Sequence, residues 1–381
     1  MMRTMTVIGT GLIGTSVALA VRGRGVTVFL TDRDPAAART AAALGAGLAR
    51  APGETVDLAV IAVPPSQVGA VLTEAQERGL ARTYTDVASV KAGPEQAVLR
   101  GAPDPARYIG GHPLAGRERS GPLAARAELF RDRNWVLTPS RLASDDAFER
   151  ALELVALCDA VPVVMRSQDH DAAVAVTSHM PHLMASLIAA RLREGPEGLS
   201  RVAGQGLRDA TRIAGGDSRL WGDILQANAP AVAGVLKDLH TDLSRLVPAL
   251  DALARPGGAD RDLGMRALVD LLDRGISGLA ELPGPGGGES RGVRVAVAER
   301  PGELARLLAA VADLGVTAED AAVETAAAGA GLTVRFTVPA RTADKLADVL
   351  GAEGWDVVGD PARPSARNER LDDVVGPSGF V

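Results

Sequence analysis

The sequence predicts three folded parts in succession: an α/β domain built on a parallel sheet, an all-α domain, and a small βαββαβ domain. Three observations carry that expectation. Over the first ~160 residues, short β-type runs alternate with helical patterns, as in a parallel sheet covered on both faces. From about residue 166 to 282 only helical periodicity persists, stopped at Gly and Pro signals. After the run Pro283-Gly284-Pro285-Gly286-Gly287-Gly288, strand and helix patterns alternate again within about 70 residues.

In the first part the predicted strands are Thr4–Ile8, Thr27–Thr31, Leu58–Val63, Thr83–Asp86, Tyr108–Gly110 and Asn134–Thr138. Ala-rich helices such as Gly11–Arg22 and Pro35–Leu44 lie between them, and a helix over 145–158, with Asp145 as its possible N-cap, leads away. The second part reads as helices His170–Arg193, Leu199–Ala214, Arg219–Arg255 and Asp260–Leu282. Their apolar faces are broad (Leu183, Leu187, Leu192; Leu236, Leu239, Leu243, Leu246, Leu250), which predicts burial against a second copy and hence a homodimer.

The third part reads as strand Val293–Ala298, helix Pro301–Leu314, strands Val316–Thr325 and Gly331–Val338, helix Thr342–Glu353 and strand Trp355–Val358. That order is ferredoxin-like. The expected boundaries are therefore 1–165, 166–282, a linker at 283–291, 292–359, and a disordered Pro-, Arg-, Asp- and Gly-rich tail at 360–381.

Composition narrows the function. The 381 residues are 46% hydrophobic but only 3% aromatic, so the core must be built from Ala, Val, Leu and Ile. A net charge of −6 argues against a nucleic-acid binder, which needs a basic face, and against attraction to an anionic membrane. The single cysteine, Cys158, excludes an intrachain disulfide and a Cys-cluster metal site. No uninterrupted apolar run of ~18–20 residues and no cleavage region after Arg3 are present, so a cytoplasmic protein is expected.

Gly9-Thr10-Gly11-Leu12-Ile13-Gly14 is a GxGxxG motif in its required context, with a strand before it and a helix after it. The first Gly permits the tight turn, the second lets the backbone approach a pyrophosphate, and the third lets helix and strand pack closely. This is the Rossmann dinucleotide-binding signature, with Leu12 and Ile13 opening the helix. Asp32 lies 23 residues after Gly9, where a carboxylate accepts the adenosine ribose hydroxyls and favours NAD. Arg33 beside it is able to pair with a 2′-phosphate. Val63, in Ala62-Val63-Pro64-Pro65, ends another strand at the edge where the cofactor is expected.

Two further loops follow strands. In Asp86-Val87-Ala88-Ser89-Val90-Lys91, Ser89 offers a hydroxyl, either to a substrate or simply as the cap of the next helix. In Gly110-Gly111-His112-Pro113-Leu114-Ala115-Gly116, two glycines let backbone pass close to a ligand and Pro113 stiffens the loop presenting His112. An imidazole at the nucleotide edge of the sheet suits proton transfer near neutrality. In the helical part, His179 and His182 share one face around Pro181, without the acidic pattern of a metal motif. Asp209 and Arg212 lie at i, i+3: a surface ion pair, or a carboxylate holding an arginine that grips a substrate carboxylate. Trp221 is either core or cavity lid.

Together GTGLIGTS, DVASVK, GGHPLAGRERSG, TSHMPH and RDATRIA followed by WGDI resemble the prephenate dehydrogenase family, which includes arogenate dehydrogenases. The resemblance spans roughly residues 4–282. It implies a dinucleotide domain followed by a helical dimerisation domain, and NAD-dependent oxidative decarboxylation of prephenate, or alternatively of arogenate. It implies that His112 takes the proton of the ring 4-hydroxyl, helped by Ser89. His179 then lies near substrate and nicotinamide, Arg212 binds a carboxylate with Asp209 as its partner, and Glu118 gates the pocket. No metal is required.

The last domain resembles an ACT amino-acid sensor through Glu299-Arg300-Pro301-Gly302-Glu303-Leu304. Pro301, Gly302 and Leu304 would then hold an effector, an aromatic amino acid with tyrosine as the first candidate. Two rivals are a β-hydroxyacid-type dehydrogenase, which needs a helical lysine that is absent before Lys237, and a non-catalytic sensor, which needs no Ser89, His112, His179 and Arg212 set.

Overall fold

The computed structural model describes residues 1–116, 121–195, 198–255, 259–282, 290–298, 300–312, 314–316, 320–325 and 332–359. Contacts divide the chain into two compact units, Met1–Arg274 and Gly275–Val381. The expected linker at 283–291 falls largely outside the described residues, the tail at 360–381 wholly so, and with them Glu118.

The first unit opens with β1 (Thr4–Ile8), α1 (Leu12–Arg22), β2 (Thr27–Thr31), α2 (Pro35–Ala43), β3 (Val56–Ile61), α3 (Val68–Glu77), β4 (Ala81–Asp86), α4 (Ala92–Gly101) and β5 (Tyr108–Pro113). It continues with β6 (Asn134–Thr138), α5 (Asp145–Leu157) and β7 (Val161–Val164). The strands form one seven-stranded sheet in the order β2-β1-β3-β4-β5-β6-β7. From β1 the chain builds outward to both sides, so the crevice at the carboxyl end of β1 is the switch point where α/β sheets take their ligands.

Two expectations about this sheet need correction. It is not wholly parallel, since β6 runs antiparallel to β5. Among its described residues the segment between them holds only short 3-10 turns (Pro122–Ala124 and Ala127–Phe130), and a parallel return needs a crossover of helix length. A seventh strand, β7, was not foreseen. Its Val-Pro-Val-Val lacks period-2 alternation because it is an edge strand pairing only with β6. The N-cap of α5 is Ser144, whose hydroxyl accepts from Ala147 N–H, rather than Asp145.

The sheet is buried on both faces, by Val, Leu, Ile and Ala as the composition implied. One face packs Met5, Val7, Leu30, Val17 and Val21 with Phe130, Trp135 and Leu154. The other packs Ile61, Leu72, Val98 and Tyr84. Cys158 is buried in the first layer, and burial pushes its thiol up to about 12, so it has no thiolate chemistry near neutrality.

The helical part comprises α6 (Ser167–Val174), a π-turn (Ala175–His179), α7 (Met180–Arg191), α8 (Gln205–Thr211), a 3-10 turn (Arg212–Gly215), α9 (Ser218–Ala227), α10 (Ala229–Ala254) and α11 (Ala259–Ala280). The single helix expected over Arg219–Arg255 is thus two, divided at Asn228, whose side chain is turned to other work. By length and composition Ser167–Arg191 could cross a membrane. Here it carries five buried polar side chains, Ser167, His170, Asp171, His179 and His182.

The second unit contains β8 (Ser290–Val297), α12 (Glu303–Ala312), β9 (Ala321–Thr325), β10 (Leu332–Pro339), α13 (Ala340–Ala352) and β11 (Asp356–Gly359). Its antiparallel sheet runs β11-β8-β10-β9. Val295, Phe336, Leu307, Leu346 and Trp355 form its own core. Gly302 sits at φ +89° in the turn before α12, a conformation that favours glycine, and Leu304 packs against the core.

Candidate active site

The nucleotide end of the site is shaped by what a side chain would displace. Gly9 has φ +102°, and a Cβ there would lie 2.2 Å from Ala62 O and 3.4 Å from Val63 Cγ1. A Cβ on Gly14 would lie 2.0 Å from Gly9 O, so helix and turn meet only without side chains. Gly11 faces open space, with nothing within 4 Å of an added Cβ, which leaves its backbone approachable at the start of α1. Leu12 and Ile13 anchor that helix against the core.

Asp32 is held in place: its Oδ2 accepts Thr10 N–H at 2.6 Å and Thr10 O–H at 3.0 Å, and its Oδ1 accepts Asp34 N–H at 2.9 Å. Arg33 beside it is exposed. A glycine turn without obstruction and a fixed carboxylate at the end of β2 fit a dinucleotide carrying free ribose hydroxyls.

His112 is carried at the end of β5, paired across to Val136 of β6. The two glycines before it serve the sheet rather than a ligand, which corrects the sequence reading. A Cβ on Gly110 would lie 2.3 Å from Thr138 Oγ1, and one on Gly111 would lie 2.6 Å from Asp86 O.

Behind the loop sits a fully buried cluster that sequence reasoning left unassembled. Lys91 Nζ bonds to Asp86 Oδ1 and donates to Gly111 O at 2.6 Å, and Tyr108 O–H donates to Asp86 Oδ2 at 2.6 Å. Ala88 N–H donates to Asp86 Oδ1 at 2.7 Å, so Asp86 holds both the Ser89 loop and the His112 strand. Burial lowers the Lys91 pKa although Asp86 and Asp171 oppose it. The same desolvation, with Asp86 beside it, keeps Tyr108 protonated.

Ser89 is half-buried in that loop. It is not a helix cap, because α4 begins at Ala92 with Lys91 in the capping position and no side-chain cap of its own.

The helical part completes the site. His112 Nδ1 lies 2.8 Å from His170 Nε2, and His170 Nδ1 lies 2.8 Å from Asp171 Oδ1. Asp171 also accepts Lys91 N–H at 2.7 Å and Ala92 N–H at 2.9 Å. These bonds hold its carboxyl below the usual range against the desolvation that opposes them. A carboxylate can only accept, so His170 carries its proton on Nδ1 and turns a lone pair on Nε2 toward His112. His112 must then donate from Nδ1, which leaves Nε2 as a bare base. Burial, together with His170, Lys91 and His179, holds the His112 pKa well below 6.5, so it is neutral near pH 7.

His179, in the π-turn, is its counterpart. Asn228 Nδ2 donates to Asp171 O at 2.8 Å and lies 3.1 Å from His179 Nδ1. Two amide hydrogens serve both bonds, so His179 accepts at Nδ1 and carries its proton on Nε2. Burial lowers its pKa as well. The two histidines are thus set as opposite tautomers, one a base and one a donor.

His182, expected on the same face, stacks on Trp221 at 3.6 Å between centroids, with its pKa lowered by burial. Trp221 therefore closes over the histidines rather than filling a remote core. Among the described residues no group of three His, Cys, Asp or Glu is placed to hold a metal ion. Arg212 begins the 3-10 turn that packs on α7 beside this stack, and its side chain is exposed. Asp209 is exposed and accepts from Gln205 Nε2 at 3.0 Å.

Sequence reasoning missed His170, Asp171 and Asn228. The available signal was a His-Asp pair at the head of an otherwise apolar helix, just past the domain boundary.

Fold and site define a dinucleotide-binding oxidoreductase in which an imidazole presented by the α/β domain meets a buried His-Asp pair of the helical one. The comparisons make that specific. A family profile described as "Prephenate dehydrogenase, nucleotide-binding domain" matches residues 17–164, and one described as "Prephenate dehydrogenase, dimerization domain" matches 166–257. The Streptomyces niveus protein named "Probable prephenate dehydrogenase NovF" is 42% identical over 359 residues, covering 93% of this chain and 99% of that one. A cyclohexadienyl dehydrogenase of Zymomonas mobilis is 32% identical over 266 residues, 65% of this chain and 88% of that one. In fold, the chain is similar to a prephenate dehydrogenase of Aquifex aeolicus solved with hydroxyphenyl propionate and NAD+. That match has a TM-score of 0.64 at 23% identity, over 74% of this chain and 98% of that one. This chain belongs to the prephenate dehydrogenase family.

Proposed function

We propose that the chain oxidises prephenate with NAD, releasing CO2 and forming 4-hydroxyphenylpyruvate in tyrosine biosynthesis. The observation that supports this most directly is the His112–His170–Asp171 chain, which leaves a neutral imidazole with a bare Nε2 beside the dinucleotide edge. Gly9, Gly11, Gly14 and Val63 frame the pyrophosphate turn, and Asp32 takes the ribose hydroxyls. Bound there, NAD supplies the hydride acceptor.

His112 Nε2 removes the proton of the ring 4-hydroxyl. The O–H electron pair becomes the carbonyl bond as the hydrogen on the same carbon leaves as hydride. The ring carboxylate is then lost and the ring becomes aromatic, which makes the sequence effectively irreversible. Ser89 orients the hydroxyl, and His179 donates from Nε2 to a substrate oxygen. Arg212 takes a carboxylate through its planar fork, with Asp209 near it in sequence and Glu118 gating the entrance. None of these steps calls for a metal.

The protein works as a cytoplasmic homodimer joined through the helical part. The second unit serves as an ACT-type sensor, with Pro301, Gly302 and Leu304 at the turn that receives an aromatic amino acid, tyrosine in the first instance. Its strand order and the positive φ of Gly302 support that reading. The test is absorbance at 340 nm with prephenate and with arogenate, each with NAD and NADP, and with added tyrosine. Turnover of neither substrate removes the proposal, and tyrosine-insensitive turnover removes the sensor.

A further inference from the structure

The proposed reaction exchanges no net proton with solvent. The 4-hydroxyl proton leaves during hydride transfer, and the phenolate formed by decarboxylation needs one back. The proton must be held in the interval, and a lone imidazole whose burial disfavours its charged form holds it poorly.

We infer that His170, backed by Asp171, is the residue that stores this proton. As His112 Nε2 takes the hydroxyl proton, the Nδ1–H bond of His112 breaks and that proton passes 2.8 Å to the lone pair of His170 Nε2. His112 ends neutral in the opposite tautomer. His170 becomes an imidazolium with one N–H directed at His112 and the other at the Asp171 carboxylate, 2.8 Å away. The positive charge therefore comes to rest beside a negative one instead of beside Lys91. After decarboxylation both transfers reverse, and the phenolate oxygen receives its proton from His112 Nε2. His170 touches no reacting atom; it positions His112 and acts through it.

The surroundings favour this path. His112 is faced by Lys91 from the β4–α4 loop, His170 from α6 and His179 from the π-turn, all bases. His170 is fully buried and is the histidine of the group whose ring meets a carboxylate, that of Asp171, which two backbone amides fix so that it cannot turn away. Asn228 holds the backbone of the same residue.

This rests on the proposed prephenate oxidation, so its test includes a measurement independent of turnover. The chain has five histidines, few enough for long-range 1H–15N spectra of the whole histidine-labelled protein. The expected spectrum shows His112 and His170 protonated on Nδ1 and His179 on Nε2. His112 protonated on Nε2 instead overturns the inference, whatever the enzyme turns over.

The kinetic arm uses His170→Gln, which keeps a hydrogen-bond acceptor but cannot take a proton. We expect kcat to fall about 10- to 100-fold with little change in KM. The dependence of kcat/KM on D2O fraction should change from curved, with two protons in flight, to linear. The acid limb should move to higher pH, because a like-charged neighbour of His112 is gone. Wild-type kcat with a curved dependence in His170→Gln overturns the inference. Should that variant not fold, Asp171→Asn takes its place, with the same lowered kcat expected. A wild type that oxidises neither prephenate nor arogenate defeats the functional reading, and the spectrum then decides the tautomers alone.

Discussion

Asp171 accepts the backbone N–H of Lys91 at 2.7 Å, so the first turn of α4 in the dinucleotide domain is capped by a carboxylate from the helical domain. The same carboxylate receives Ala92 N–H and faces His170, and its main-chain oxygen receives Asn228. Asp171 thus links the Ser89 loop to His112 through His170 and to His179 through Asn228.

Asp171→Ala leaves two helix amides and a ring N–H buried without a partner. The expected loss is ~2–4 kcal/mol of unfolding free energy, the cost of a lost cap plus desolvated donors. Urea unfolding of the two proteins measures it, and equal midpoints and slopes would remove the cap assignment.

Stability should rise with pH up to about the free-imidazole value. His112, His179 and His182 all have pKa values depressed by burial. The unfolded chain therefore binds more protons than the folded one as pH falls below 6.5, and stability is lost toward the lower folded values. Asp171, and Asp57 of β3, which accepts the Arg3 and Thr4 amides, are shifted the same way, from 3.8, so their contribution is lost only in stronger acid. Activity has the matching sign, since the neutral form of His112 survives below pH 6.5 and the acid limb of kcat/KM should lie well under that value. Unfolding curves and rates between about pH 5 and 8 read both. A limb centred at the free-imidazole value contradicts the burial of His112.

Asp32 should decide between the two nicotinamide dinucleotides. Asp32→Ser removes an acceptor fixed by Thr10 and leaves exposed Arg33 beside the ribose site. We expect kcat/KM with NAD to fall about 10- to 100-fold while that with NADP rises. Unchanged cofactor preference means that the ribose lies elsewhere.

The buried Lys91–Asp86 pair should be costly to break. Lys91→Met leaves Asp86 charged in a sealed site and is expected to cost ~3–5 kcal/mol. Tyr108→Phe removes a single hydrogen bond while Lys91 still neutralises Asp86, and should cost ~1–2 kcal/mol. Thermal unfolding of both variants gives the ranking, and a Tyr108→Phe loss equal to that of Lys91→Met contradicts it.

On α11, Leu272, Ile276 and Leu279 are 57%, 68% and 69% exposed and fall at i, i+4, i+7, one apolar stripe. If the stripe meets a second copy, light scattering gives a dimer mass for the wild type and a monomer mass for Leu272→Asp with Ile276→Asp. A monomeric wild type ends the dimer assignment.

Much of this was legible in the sequence because it is local. The glycine spacing after β1, the acidic residue ending β2 and the histidine ending β5 each sit a few residues from the strand that places them. The alternation after the PGPGGG run likewise foretold the second unit's element order, with boundaries displaced by a few residues. The division at Asn228 escapes helical periodicity, which runs on through it, although Asn228 with Pro230 in the next turn is a helix-start signal.

By itself, the sequence determined the succession of α/β, helical and βαββαβ patterns, the dinucleotide turn and the place of His112 at the end of β5. Only the tertiary structure decided which way that imidazole is protonated. His112 and His170 are 58 residues apart, Asp171 and Lys91 80, and Asn228 and Asp171 57. A tautomer is set by what the other ring nitrogen touches, and periodicity along one chain carries no record of contacts between elements so far apart. The glycines before His112 show the same limit. Their pattern announced a close approach, and the folded sheet decided that what approaches is Thr138 and Asp86.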